Sequence, residues 1–153
     1  MKQPGLIPHL TVHDGNAALE FYKKGLGAEV LSHVPAPDGK RVMHAALSVG
    51  GSVFMLNDDF PEYCGGKVRS PKATGTTGVT LHLNVTDCDA AVQRMATAGG
   101  TVTMPPDDMF WGDRYAKVTD PFGHEWSFSH SLTPEKTAAA AKKWQEWQSA
   151  AKA

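Results

Sequence analysis

Apolar and polar positions along the chain switch between a two-residue and a 3.6-residue period, and the whole alternation then recurs. Leu6 to Val12 is a short β-rich run, closed by His13-Asp14-Gly15, whose aspartate is placed to cap a helix. Asn16 to Lys24 carries Ala18, Phe21 and Tyr22 at i, i+3 and i+4, one stripe of that helix, and Gly25 and Gly27 are expected to stop it. Three strands are predicted next, at Ala28 to Val34, Val42 to Val49 and Ser52 to Asn57, divided by Pro37-Asp38-Gly39 and Gly50-Gly51. The unit reads βαβββ.

Residues 9 to 27, HLTVHDGNAALEFYKKGLG, are echoed at 82 to 100, HLNVTDCDAAVQRMATAGG, at an offset of 73. His9/His82, Leu10/Leu83, Val12/Val85, Asp14/Asp87, Ala17/Ala90, Ala18/Ala91 and Gly27/Gly100 are identical, where average usage gives about one chance match. The second copy repeats the order: Val79 to Val85, a helix from Asp87 to Ala98, then Thr101 to Met104, Arg114 to Thr119 and Glu125 to His130 after the turn Asp120-Pro121-Phe122-Gly123. Matching Gly51 to Gly123 pairs Val53 with Glu125, Phe54 with Trp126 and Met55 with Ser127, and puts Phe54, Trp126 and Phe128 on the core side. A single domain is expected, with module one at 5–58, an inter-module loop at 58–78, module two at 79–131 and a helix at 133–152. Thr133 and Pro134 start that helix, and Ala140, Trp144 and Trp147 share one face, destined for the body or a partner chain.

Composition narrows the function classes. The 15 Lys+Arg and 16 Asp+Glu are interspersed, so no nucleic acid or anionic membrane partner is expected. No apolar window approaches a membrane span and the N-terminus lacks a signal-peptide pattern, so the expectation is a cytoplasmic protein. Cys64 and Cys88 have neither disulfide-framework nor zinc spacing and are read as free thiols.

The two βαβββ copies, the helix entry shared by His9–Ala18 and His82–Ala91, the Gly-x-Gly helix exit and the terminal DPFGHEWSF strand together resemble the vicinal oxygen chelate superfamily of glyoxalases, bleomycin-resistance proteins, fosfomycin-modifying enzymes and extradiol dioxygenases. The FWGDRYAKVTDPFGHEWSFSH and SVGGSVFMLND blocks look most like its PhnB-like branch. The resemblance implies an α+β fold, two four-stranded mixed sheets curling into a half-barrel around a cavity, usually completed in a homodimer. It also implies four duplicated inward strand positions where the metalloenzymes keep His, Glu or Gln. Here those positions fall on Ile7, Thr80, Met55 and Ser127, none a strong ligand, so no cofactor is expected.

Strand alternation places His9 on the face of Ile7, His82 on that of Thr80, and Glu125 on that of Ser127. The imidazoles are read as polar pocket-liners or a hydrogen-bonded pair across the pseudo-axis. The alternatives are a divalent metal displaced onto His9, His82 and Glu125, and a purely structural role. Trp111 and Tyr115, around Gly112, suit stacking on a planar ligand or ordinary core packing. His13, His33, His44, His124 and His130 are expected at rims and element ends. Two functions fit these residues: a small-molecule binding protein of the resistance type, taking a planar or polar ligand there, or a glyoxalase-type lyase or isomerase using His9, His82 and Glu125. Whether any reaction is catalysed is left open.

Overall fold

A computed structural model describes residues 5–153. Each half of the chain folds as β-α-β-β-β. The first gives β1 (His9–Val12), α1 (Gly15–Leu26), β2 (Glu29–Pro35), β3 (Val42–Val49) and β4 (Ser52–Asp58). A connection comes next, with one 3-10 turn (Pro61–Tyr63) and the short α2 (Pro71–Thr74). The second half gives β5 (Thr80–Asn84), α3 (Cys88–Ala98), β6 (Thr101–Asp108), β7 (Asp113–Thr119) and β8 (Glu125–Ser131), and α4 (Pro134–Ala151) ends the chain.

The repeated residues do the same local work twice. Asp14 Oδ1 accepts the Ala17 N–H at 3.0 Å and Asp87 Oδ1 the Ala90 N–H at 3.1 Å, so each caps its helix. Two four-stranded mixed sheets result, ordered β1-β4-β3-β2 and β5-β8-β7-β6. The parallel pairs are β1 with β4 and β5 with β8, in equivalent register: His9 stands opposite Met55, and His82 opposite Ser127.

Alternation then sorts the strands into a core face and an open face. Leu10, Val12, Phe54 and Leu56 from the first sheet and Ala116, Val118, Trp126 and Phe128 from the second are buried in one cluster with α1 and α3. Tyr22 of α1 joins the halves, its ring 5.3 Å from Phe54 and 5.6 Å from Trp126. Its hydroxyl donates to Asp120 Oδ2 at 2.6 Å, which also accepts from Trp126 Nε1 at 2.9 Å. The N–H groups of Phe122 and His124 occupy Asp120 Oδ1, so this buried carboxylate has every expected partner.

The differences from expectation have physical causes. Strand β1 starts at His9, and Leu6 is almost fully exposed. Helix α1 runs through Gly25 and ends at Gly27, whose φ of 64° suits glycine. Gly25 instead serves close approach: a Cβ there would lie 3.1 Å from Met95 Sδ on α3. Strand β6 continues beyond Met104 through Pro105 and Pro106, because it is the edge of its sheet and its register shifts between Met104 and Asp107, sparing the ladder the two missing donors. His124 is a correction: expected at a rim, it is buried, and its Nε2 donates to the Thr11 carbonyl at 2.8 Å, tying the turn before β8 to β1.

Candidate functional site

The open face of the second sheet is built from residues at alternate positions: Thr80, His82 and Asn84 on β5, Tyr115 and Lys117 on β7, and Glu125, Ser127 and Ser129 on β8. His82 is its centre. Its Nδ1 lies 2.7 Å from Ser127 Oγ, and its Nε2 lies 3.1 Å from Ser129 Oγ and 3.3 Å from Asn84 Oδ1. Asn84 Oδ1 can only accept, so Nε2–H donates toward Asn84 and Ser129, and the Ser127 hydroxyl pairs with Nδ1. Both serines are buried beneath the imidazole, whereas the His82 ring faces solvent. Tyr115 lies nearly parallel to His82, ring centroids 6.0 Å apart, and Trp111 meets Tyr115 edge-on at 5.6 Å.

At the end of this face, Glu125 accepts from the Thr80 hydroxyl and from Lys117 Nζ at 3.1 Å. These two partners, the Thr80 bond first, hold the Glu125 carboxyl below its ordinary range, and Glu125 in turn raises Lys117. A carboxylate so stabilised is a weak base. Arg114 is engaged too, bonded to Asp89 and Asp108, and these bonds raise it further.

The open face of the first sheet has different chemistry. His9 stands beside Met55, contacts His44 edge-on at 5.7 Å and interacts with Asn57. Burial, then the neighbouring His44, lowers its pKa, and the Asn57 bond offsets this in part. The 59–69 segment folds over this face and leaves a cleft of about 400 Å³ reaching His9, Met43, Asn57 and Tyr63. Arg41, paired locally with Asp38, secures the segment through Glu62 and the Phe60 ring, 4.2 Å from its guanidinium carbon. A larger cleft of about 530 Å³ lies between the modules, with Ile7, Val53, Thr80, His82 and Trp126 among its walls.

The candidates therefore fall into three places. Ile7, Thr80 and His82 line the inter-module cleft; Glu125, Ser127, Tyr115 and Trp111 lie with Thr80 and His82 on the second sheet; His9 and Met55 belong to the first sheet. No three His, Cys, Asp or Glu side chains converge as a metal-binding group among the described residues. His82 and Glu125 already have their own protein partners. The 2.7 Å Ser127–His82 contact has the spacing of a nucleophile and its base, yet Ser127 is only 1 % exposed, so an electrophile has no approach to its Oγ. What this surface offers is a stacking ring and a ring of hydrogen-bonding groups.

Sequence reasoning missed Asn84, Ser129 and Lys117. Two-residue alternation from His82 and Ser127 reaches the first two directly; Lys117 needed the pairing of β7 with β8. No helix among the described residues is long and apolar enough to cross a membrane.

Comparison with known proteins places these features in a family. The family model described as Glyoxalase/Bleomycin resistance protein/Dioxygenase superfamily matches residues 6–128. An uncharacterised protein of Mycobacterium bovis is 53% identical over 130 residues, 85% of each chain. Among solved structures, an Arabidopsis thaliana gene product superposes with a TM-score of 0.66 at 28% identity, covering 84% of this chain and all of that one. TioX from Micromonospora sp. ML1 gives 0.64 at 26% identity, covering 85% of this chain and all of its own.

Proposed function

Because the chain belongs to the glyoxalase/bleomycin-resistance/dioxygenase superfamily, we propose that it uses the superfamily's cavity to bind a planar small molecule without transforming it, as a homodimer. The observation that carries this reading is the hydroxyl, amide and imidazole network of His82, Ser127, Ser129 and Asn84 beside Tyr115 and Trp111. A planar ligand gains dispersion and quadrupolar attraction from the rings, and its polar edge meets the exposed His82 imidazole and Asn84 amide, which the buried Ser127 and Ser129 hydroxyls hold in place. Acid/base chemistry is poorly served, since Glu125 is held ionised by Thr80 and Lys117 and Ser127 is buried. Ile7, Thr80 and Met55 contribute walls, and His9 a second polar point on the first sheet.

The test is a thermal-shift screen of aromatic heterocycles, followed by calorimetry of the hits on the wild type and on His82→Ala and Ser127→Ala. Binding should weaken at least fivefold in both variants, with the ligand recovered unchanged. Hits indifferent to both substitutions, or turnover that scales with added divalent metal, would overturn the reading.

A further inference from the structure

We propose that α4 is a wall of the site on the second sheet, and that Trp144 and Trp147 select a flat, uncharged, multi-ring aromatic ligand; this deepens the ligand-binding reading above and rests on it. Six rings run in unbroken sequence from the polar network onto the helix. Tyr115 neighbours His82, Trp111 meets Tyr115, and Phe110 meets Trp111 edge-on at 5.2 Å. Phe110 then stacks on Trp144 at 4.8 Å, and Trp144 on Trp147 at 5.0 Å, both with planes 24° apart.

The helix lies on the correct side of the sheet. Lys143 pairs with Asp107 at 3.2 Å, and Asp107 stands opposite Tyr115 in register, so both belong to the open face. Only Ala140 of α4 is buried. Trp147 is 60 % exposed, Trp111 51 %, Phe110 40 % and Trp144 38 %. Four large rings on one continuous surface exceed what a chain leaves in water without a use. Asp107 is matched by Lys143 and Glu125 by Lys117, so neither pair calls for a charged ligand. Length is set by the ring order: Trp111 and Phe110 separate Tyr115 from Trp144, so one small ring cannot touch both ends. The helix lies beyond residues 6–128, which the family model matches.

Acridone, a neutral three-ring fluorophore with one N–H and one carbonyl, is the probe, and indole the short control. Fluorescence anisotropy should show saturable acridone binding to the full-length protein, at least tenfold weaker in Trp144→Ala/Trp147→Ala and largely restored in Trp144→Phe/Trp147→Phe. Indole binding should change less than twofold. Absence of saturable acridone binding to the wild type overturns the proposed ligand class. Acridone affinity within twofold of wild type in the double alanine variant, together with loss in His82→Ala, overturns the wall and leaves the ligand-binding reading standing. A change of oligomeric state by sedimentation in the double alanine variant, with acridone affinity unchanged, also overturns it, because the rings then join two copies of the chain. Unchanged far-ultraviolet circular dichroism shows that the variants are folded.

Discussion

Tyr22→Phe removes one hydroxyl from the centre of the molecule and nothing else. The ring keeps its contacts with Phe54 and Trp126, and Asp120 keeps Trp126 Nε1 and two backbone N–H groups. What disappears is the 2.6 Å bond from a buried phenol to a buried carboxylate, joining residues 98 apart in sequence. Hydrogen bonds to charged groups contribute about 1.5–3 kcal/mol, so the loss should fall in that interval. For a chain of this size that corresponds to a fall of roughly 3–12 °C in Tm. Urea unfolding at pH 7 should show a lower midpoint at unchanged slope. On an Asp120→Asn background the acceptor is neutral, and the cost of Tyr22→Phe should drop to about 1 kcal/mol. A cost under about 0.5 kcal/mol in the native background, or the same cost in both, would refute the claim that this bond clamps the two halves.

Two further outcomes rest on burial and proximity. Cys88 is fully buried and burial pushes its thiol up to about 11, whereas Cys64 is exposed, so a thiol reagent at pH 8 should label one cysteine in the native protein and two in urea; prompt native labelling of Cys88 would contradict the packing of α3. His9 should titrate below the ordinary histidine value of 6.5 in an NMR series and move up in His44→Ala; because the unfolded chain then takes up the proton first, this residue costs stability as pH falls from 6.5 toward its folded pKa and nothing above 6.5, and a native titration at or above 6.5 would show that burial and His44 do not act on it.

Periodicity and local chemistry made the fold legible. Asp14 and Asp87, the stripe of Ala18, Phe21 and Tyr22, and the alternation of Phe54 and Trp126 each act within a few residues, where the sequence states the geometry. Gly25 reads as a stop in sequence, but its use is a crossing with Met95, a partner 70 residues away. Pro105 and Pro106 read as the end of a strand, and only the edge position of β6 makes them tolerable within one. His124 reads as a rim residue because its acceptor, the Thr11 carbonyl, lies in the other half of the chain.

The site was half legible for the same reason, and its asymmetry carries the functional argument. Duplication gives each sheet an imidazole at the same place, so on symmetry alone the chain would have two equivalent sites. The cross-strand neighbours break that symmetry: His9 faces the Met55 thioether, and His82 the Ser127 hydroxyl. Around the first imidazole, burial and then a second histidine disfavour protonation; beside the second, two serines and an asparagine fix the ring's orientation. From the second imidazole a run of ring contacts continues through Tyr115 and Trp111 to Phe110 and α4, whereas the cleft at the first is lined by Phe60 and Tyr63 of the connecting segment. A hydrogen-bonding floor without an aromatic wall would discriminate weakly among polar solutes, and a wall without a floor would orient nothing. The second sheet has both in one run of contacts, which is why the proposed ligand is assigned to it rather than to the first sheet.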